Sequence, residues 1–229
     1  MRPAAPLIVL EGIDGSGKGT QAARLHASLT AEGLRVGRLA FPQYEANRFG
    51  RLIGRFLNGE FGELSDVAPE LAALLFAGDR LESAPRLRDL RAAHDVVLLD
   101  RYVGSNVAHQ AGRCDGPRRD ELIALLDWLE HEQNALPRPT LTVWLDLPTE
   151  VARRRVTMKD ARAYTEREAD IQEADGEHLR RAADVYRSLC DGEGWTRIDT
   201  VPQGRELSED EVAALVREAV DSVLPPAPS

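Results

Sequence analysis

The sequence has only two cysteines, and their positions argue against a cysteine-based metal site. Cys114 and Cys190 lie far apart in the chain, whereas structural zinc sites use closely spaced pairs of cysteines or histidines. Two isolated cysteines are typical of proteins from a reducing compartment. We therefore expect a cytoplasmic protein in which both cysteines are ordinary small side chains.

Long apolar runs and an excess of positive charge are also missing. The first apolar run, Leu7–Leu10, ends at Glu11 and is too short for a secretory leader, and no later run is long enough to span a membrane. The chain carries 38 acidic and 29 basic residues, with a net charge of −9. Because nucleic-acid binding needs a basic face, we expect neither a nucleic acid nor a membrane as a partner.

The length of the chain is suited to one hydrophobic core. It has 229 residues, and α/β folds of this size are commonly single domains. No repeat, low-complexity block or linker divides the sequence. We predict one domain over residues 1–229, with a frayed tail that begins at about residue 225.

The sequence does contain a phosphate-binding pattern directly after its first apolar run. Gly12, Gly15, Gly17 and Lys18 fit the first seven positions of the P-loop pattern, with a predicted strand before them and a helical pattern after them. Glycines let backbone amides point at phosphate oxygens, and the lysine adds positive charge. A flexible glycine turn is the alternative, but the flanking strand and helix favour nucleotide binding. The residues predicted to bind ATP are Gly12, Ile13, Asp14, Gly15, Ser16, Gly17, Lys18, Gly19 and Thr20.

The residue after the P-loop lysine departs from the usual pattern. The Ser or Thr whose hydroxyl binds Mg²⁺ is replaced by Gly19, with Thr20 one step later. The metal must then be held partly through water or by another side chain, and Asp14 is the nearest carboxylate. A carboxylate beside phosphates is repulsive unless it binds a cation or accepts a proton from a substrate hydroxyl. A turn-forming role is the alternative for Asp14.

Strand patterns alternate with helical patterns along the rest of the chain. This alternation predicts a three-layer α/β fold with a five-stranded parallel sheet flanked by helices. Ser208 and Glu211 form a capping box that predicts the start of the last helix. Ligands of such sheets bind at the carboxyl ends of the strands. The predicted strands are Leu7–Leu10, Arg35–Phe41, Val96–Asp100, Leu141–Asp146 and Trp195–Ile198.

Charged and polar side chains follow the predicted strand that ends at Asp100. Arg101 has a planar guanidinium suited to phosphate oxygens, and Asp100 is placed either to orient the water shell of a metal or to pair with Arg101. A simple salt bridge is the alternative. Asn106, His109 and Gln110 then lie on neighbouring turns of a predicted short helix, where they are candidates for ligand contacts. Taken alone, His109 fits an ordinary surface histidine as well as it fits a ligand contact.

Two aromatic motifs are ambiguous when taken alone. Phe76 and Arg80 lie four residues apart on one face of a predicted helix. A ring that stacks on a base and a guanidinium that bonds its edge would need this spacing, but a core phenylalanine beside a surface arginine is the commoner arrangement. Phe41 and Tyr44 flank the end of the second predicted strand.

Basic residues are concentrated after the strand that ends at Asp146. Such a run is usually a solvated helix face. Phosphoryl transfer, however, needs cations that neutralise phosphate oxygens, together with a lid that excludes water. We predict a short arginine-rich lid at about residues 153–170, with Arg153 and Arg162 as catalytic candidates.

Together these motifs resemble the thymidylate kinase family of nucleoside monophosphate kinases. The resemblance implies a P-loop NTPase fold and transfer of a phosphate from ATP to dTMP with Mg²⁺, in a homodimer. The expected mechanism is in-line transfer without a covalent enzyme intermediate. A kinase for another monophosphate or a deoxynucleoside is one alternative, and a nucleotide-dependent switch or assembly ATPase is another. The matching segments are Glu11–Lys18, Phe41–Tyr44, Leu75–Arg80, Asp100–Asn106 with Gln110, and Asp170–Asp175.

The resemblance also implies roles for individual residues. Lys18, Asp14 and Arg101 would be catalytic, with Arg101 on the acceptor phosphate and Asp14 near the acceptor's sugar hydroxyl. Phe76 would stack on thymine and Arg80 would bond its edge. The residues expected to contact the acceptor are Asp14, Phe41, Tyr44, Phe76, Arg80, Arg101, Asn106, His109 and Gln110. The residues expected to bind Mg²⁺ are Asp14, Asp100 and Glu173.

The sequence departs from the family pattern at two places. Gly19 and Thr20 look more like adenylate kinases, although that family supplies neither Asp14 nor the motif at Asp100. Some thymidylate kinases carry a tyrosine where His109 stands, a residue associated with rejecting the 2′-hydroxyl of ribonucleotides. We expect a histidine there to discriminate less strictly.

Overall fold

The computed structural model describes residues 4–157 and 176–224. Within them, one parallel sheet has the strand order β2-β3-β1-β4-β5. Its short strands are mostly apolar runs, which suits a sheet covered on both faces. The strands are β1 Leu7–Glu11, β2 Val36–Ala40, β3 Val96–Asp100, β4 Leu141–Asp146 and β5 Trp195–Asp199.

Helices connect each strand to the next, as parallel strands require. The capping box predicted at Ser208 and Glu211 is present and begins the last of them. A π-helical turn at Trp128–Gln133 continues the fifth helix. The helices are α1 Lys18–Ala31, α2 Arg48–Leu57, α3 Pro69–Ala93, α4 Val103–Ala111, α5 Gly116–Asp127, α6 Thr149–Thr157, α7 Gly176–Leu189 and α8 Glu209–Asp221.

Two apolar layers hold the helices on the sheet. On β1, Ile8 and Leu10 face the side covered by α1 and α8, whereas Leu7 and Val9 face the side covered by α3, α4 and α7. This is the pleat of a strand that is buried on both faces. The predicted three-layer fold with five parallel strands is therefore confirmed.

Helix α3 buries several small side chains and leaves two leucines on its outer face largely exposed. Ala72, Ala73 and Ala77 are buried, whereas Leu71 and Leu74 are about half exposed. The small inner residues let α3 approach the sheet and α4 closely. These two leucines are therefore not part of the hydrophobic core.

The strand register brings the functional loops to one edge. Leu10 pairs with Asp100, and Glu11 pairs with Trp144, so the carboxyl ends of β1, β3 and β4 lie side by side. Most of the predicted lid, residues 158–170, lies outside the described residues. The predicted tail from residue 225 lies outside them as well. No helix of the described ranges is long and apolar enough to cross a membrane.

Candidate functional site

One cavity of about 320 Å³ opens at the carboxyl edge of the sheet. All the residues predicted to contact an acceptor line its wall, although they come from four separate segments of the chain. Gly15, Gly17 and Lys18 of the P-loop line it, and Phe76 and Arg80 line it from α3. Asp100 and Arg101 line it as well. The fold thus joins a phosphate loop and a second polar pocket in one space.

The P-loop wraps tightly because two glycines occupy positions where no side chain fits. Gly12 has φ +144°, and a Cβ atom there would lie 2.8 Å from the Leu145 carbonyl oxygen. Gly15 has φ +82°, and its Cβ would lie 2.7 Å from the Ala152 carbonyl oxygen. The loop is therefore packed closely against β4 and α6, and the N-terminus of α1 points its free amides into it.

Lys18 places a poorly solvated charge inside this loop. Its Nζ donates to the Ile13 carbonyl oxygen at 2.8 Å and lies 3.4 Å from Ser16 Oγ. Burial, followed by the positive charge of Arg101, lowers the pKa of Lys18 to about 8. An ammonium group held in this way gains strongly from a bound anion.

The pKa of Lys18 predicts how ATP use depends on pH. In the free enzyme the ammonium is kept below pH 8 and lost above it, so kcat/KM for ATP should fall as the pH rises through about 8. Bound phosphates raise the pKa of Lys18, so kcat at saturating ATP should fall only at higher pH. Steady-state kinetics from pH 6 to 10 measure how kcat/KM for ATP and kcat each depend on pH. A kcat/KM that stays flat through pH 9.5 would contradict this assignment.

Arg101 lines the cavity, and three hydrogen bonds hold its side chain. Its backbone is left-handed, with φ +65°, which is uncommon for a residue other than glycine and is concentrated at functional sites. Its guanidinium donates to Asp14 Oδ2 at 2.8 Å, the Gly12 carbonyl oxygen at 3.1 Å and Ser105 Oγ at 3.0 Å. Burial opposes its charge, yet the Asp14 carboxylate raises the pKa of Arg101. Arg101 pairs with Asp14 and not with its neighbour Asp100.

A buried glutamate that sequence reasoning did not assign supports this arrangement. Glu11 is fully buried and accepts hydrogen bonds from the Tyr102 and Ser105 amides at 2.8 and 3.0 Å. It also accepts from the hydroxyls of Ser105 and Tyr186, at 2.5 and 2.9 Å. Since Ser105 also bonds Arg101, Glu11 ties β1 and α7 to the arginine. The sequence feature that could have revealed this role is an acidic residue directly after the apolar run of β1.

Asp100 offers a carboxylate at the phosphate end. It lines the cavity, and its Oδ2 lies 3.4 Å from the Cβ that a side chain at Gly19 would have. Within the described ranges the Asp100 side chain accepts no hydrogen bond, and no cluster of three His, Cys, Asp or Glu residues there could hold a metal ion. Asp100 can therefore contribute to a cation site, with phosphate oxygens and water as further ligands.

The other end of the cavity combines a ring with a buried polar group. Phe76 is half-buried against the cluster that contains Ile53 and Phe56. Arg80 is buried and forms a two-pronged ion pair with Glu130, with Nε 2.9 Å from Oε2. Glu130 was not predicted, because it lies in a different segment with no motif around it.

A histidine pair forms another part of the cavity wall. His109 is buried, and its Nδ1 lies 3.1 Å from Nε2 of His178 on α7. Burial and the neighbouring His178 ring lower the pKa of His109 well below its ordinary value, so the ring is neutral at pH 7. The alternative of an ordinary surface histidine is wrong. Gln110 is buried beside it, and its Oε1 accepts from Arg113 at 3.0 Å.

Two aromatic residues from the loop after β2 complete the wall. Phe41 is buried and packs against the Tyr102 ring with the centroids 6.0 Å apart. Tyr44 is half-buried and joins the cluster around Phe56. Both line the cavity, so the motif that was ambiguous in sequence lies at the site.

The arginines of α6 are only partly directed at the cavity. Arg153 is exposed and lies beside Gly176. Arg155 instead reaches the P-loop, where it donates to the Gly15 carbonyl oxygen at 3.4 Å, and it also pairs with Glu206. Arg162 and Glu173 are outside the described residues, so their predicted roles stay predictions.

Comparisons with known proteins identify the family that this chain matches. The family model described as thymidylate kinase matches residues 10–211. The thymidylate kinase of Mycobacterium tuberculosis (strain H37Rv) is 34% identical over 82% of this chain and 87% of its own length. The thymidylate kinase of Synechococcus sp. (strain WH7803) is 35% identical over 93% of this chain and 94% of its own length. The thymidylate kinase of Homo sapiens is 32% identical over 65% of this chain and 64% of its own length. A solved thymidylate kinase from Candida albicans matches with a TM-score of 0.72 and 23% identity over 96% of this chain and 92% of that one, which supports the fold.

Proposed function

This chain belongs to the thymidylate kinase family, and on that premise we propose that it transfers the γ-phosphate of ATP to dTMP, giving dTDP and ADP. The observation that carries the proposal is the single cavity that joins the P-loop to a pocket lined by Phe76 and Arg80. A nucleotide switch needs the P-loop but has no use for a second pocket of this kind.

The geometry supports direct transfer between two bound nucleotides. The loop amides and Lys18 would hold the phosphates of ATP, and Arg101 would hold the acceptor phosphate. Arg101 bonds the Gly12 carbonyl oxygen of the P-loop itself, so the two phosphate sites are adjacent. A phosphate oxygen of dTMP would then attack the γ-phosphorus in line, and the protein contributes positioning and positive charge.

Mg²⁺ is the cation that we propose for this site. The carboxylate of Asp100 is a hard oxygen ligand of the kind that Mg²⁺ prefers. Asp14 is paired with Arg101, so its contribution would come through water, and Glu173 stays a candidate from the sequence. When bound, Mg²⁺ neutralises charge on the β- and γ-phosphate oxygens.

The experiment that tests the function is ADP release with one acceptor at a time. Purified enzyme is given ATP and Mg²⁺ with dTMP, dUMP, dCMP or AMP, and a parallel series omits Mg²⁺. We expect rapid turnover with dTMP, slow turnover with the others and none without Mg²⁺. Turnover that prefers AMP would point to another monophosphate kinase. Slow ADP release that no acceptor accelerates would favour the switch ATPase.

We also propose a homodimer that forms through the outer face of α3. Leu71, Leu74 and Leu81 lie on one side of this helix and are 59%, 48% and 48% exposed, and Trp128 after α5 is 46% exposed. Apolar side chains grouped in this way mark interaction surfaces.

The dimer proposal predicts that Leu74→Glu yields a monomer. The introduced carboxylate would be buried at the interface without a partner. In a symmetric dimer it would also be repelled by the same carboxylate of the second subunit. Sedimentation velocity should show a dimer for the wild type and a monomer for the variant. Leu215→Glu, at a 39% exposed leucine on α8, is the matched control and should stay dimeric. A wild-type monomer, or a dimeric L74E variant, would contradict the proposal.

A cytoplasmic location is proposed from the cysteines. Cys114 and Cys190 are both free thiols, which suits a reducing compartment. Cell fractionation followed by detection of the protein tests this, and recovery in a secreted fraction would count against it.

A further inference from the structure

A buried acid on an irregular turn organises the base end of the cavity. The turn is the π-helical segment Trp128–Gln133, a geometry that is rare and often found at functional sites. Its Glu130 has no exposed surface, and the two residues that it contacts across the cavity wall, Arg80 and Asn106, are each 2% exposed. A buried carboxylate is costly unless it is fully paired, so these contacts are central to the local structure.

Glu130 determines which atom of the Asn106 amide is available to a ligand. Asn106 Nδ2 donates to Glu130 Oε1 at 3.0 Å and to the Ala73 carbonyl oxygen at 3.1 Å. The reversed amide would place its oxygen against these two acceptors, so this orientation is the stable one. The opposite atom, Oδ1, is buried and makes no hydrogen bond to any described residue. Asn106 therefore offers the cavity a hydrogen-bond acceptor.

Glu130 also determines which part of Arg80 is available. Both carboxylate oxygens of Glu130 are engaged by Nε and Nη2 of Arg80. Nη1 makes no hydrogen bond within residues 4–157 and 176–224. Because the guanidinium is a rigid plane, pairing on one side leaves Nη1 as the donor for a ligand. The wall thus presents a donor and an acceptor from two residues held by the same carboxylate.

A donor beside an acceptor matches one class of pyrimidine. Thymine and uracil carry a carbonyl oxygen at C4, which accepts, next to an N3–H, which donates. Cytosine reverses both groups, with a donating amino group at C4 and an accepting N3. We propose that Glu130 is a positioning residue that makes the site select 4-oxo over 4-amino pyrimidine nucleotides. This inference rests on the proposed function of the same cavity.

The test is Glu130→Gln, assayed with dTMP, dUMP and dCMP. Glutamine keeps the shape but replaces one acceptor oxygen with a donor, so it cannot hold both Arg80 and Asn106 in their present orientations. We expect kcat/KM for dTMP to fall about 100-fold, mainly through KM, and that for dCMP by less than about threefold. The Kd for ATP should not change. Asp127→Asn, which alters an exposed pair with Arg138 at the start of the same turn, is the matched control and should keep wild-type selectivity.

A purely structural role for Glu130 predicts a different result. Activity with dTMP and dCMP would then fall together, leaving their ratio unchanged, and that outcome would overturn the inference. If the glutamine variant does not fold, Glu130→Asp replaces it, because aspartate keeps the charge beside Arg80. Its shorter side chain should lower the dTMP-to-dCMP ratio by about tenfold, and a folded E130D variant with the wild-type ratio would equally overturn the inference.

The wild-type enzyme separates this inference from the proposed function. A preference for dUMP over dTMP would contradict the function but support the inference, since uracil has the same edge as thymine. A preference for dCMP would contradict both. If the wild type strongly selects dTMP but E130Q keeps the same dTMP-to-dCMP ratio of kcat/KM, the proposed function is supported and the proposed role of Glu130 is contradicted.

Discussion

Replacing Arg101 with alanine is expected to lower kcat/KM for dTMP by about 10³-fold, with the Kd for ATP within about threefold of wild type. Arg101 lines the same cavity as the P-loop, and three hydrogen bonds hold its guanidinium there. Its proposed partner is the acceptor phosphate, so its loss removes charge stabilisation from the transition state. The alanine side chain cannot substitute for it.

ATP binding should survive this change for an electrostatic reason. The charge of Arg101 is one cause of the lowered pKa of Lys18, so removing the arginine keeps Lys18 protonated to a higher pH. Titration of R101A with ATP, beside steady-state kinetics, measures both effects. Arg35→Ala breaks an exposed arginine–aspartate pair with Asp95, remote from the cavity, and should leave both constants unchanged. An equal loss of ATP affinity and of transfer in R101A would show that the arginine serves ATP instead.

Replacing Lys18 with methionine is expected to have the second large effect, a loss of at least about 10³-fold in kcat/KM for ATP. Methionine fills a similar volume, but it supplies no charge to the phosphates. Wild-type enzyme should gain thermal stability when ATP is added, whereas the variant should gain little. Kinetics and thermal unfolding with and without ATP measure this.

The same substitution should stabilise the protein without nucleotide. Lowering the pKa of Lys18 from 10.5 to about 8 means that the folded state carries a penalty of about 3 kcal/mol for the charged form. The penalty is fully present below pH 8 and is lost as the pH rises towards 10.5, because the unfolded chain holds the proton more tightly. The Ile13 carbonyl oxygen still accepts from the Ser16 amide at 3.2 Å, so little is lost there. A lower melting temperature for K18M at pH 7 would contradict this account.

The parts of the molecule that the sequence predicts well are those set by local patterns. The P-loop needs glycines at fixed spacing, and β3 and β4 begin and end at the predicted residues because each is a mainly apolar run that ends at an aspartate. β2 is one residue shorter at each end than the predicted Arg35–Phe41. The family was identified correctly from motifs that are each weak alone.

The parts that the sequence does not predict are pairings between distant segments. Glu130 lies fifty positions from Arg80. No periodicity in the sequence indicates that a π-helical turn would place the Glu130 side chain in the wall of the cavity. Arg101 pairs with Asp14, which is 87 positions away, and not with its neighbour Asp100. These contacts depend on the packing of helices around the sheet, which a one-dimensional pattern does not encode.

The most direct test of the central claim is a competition between acceptors in one reaction. Wild-type enzyme receives ATP labelled at the γ-phosphate, Mg²⁺ and an equimolar mixture of dTMP, dUMP, dCMP and AMP, and the labelled products are separated at low conversion. Their ratios equal the ratios of kcat/KM for the acceptors. The account predicts that nearly all the transferred label appears in dTDP. Label found mainly in another diphosphate, or only in inorganic phosphate, would contradict it.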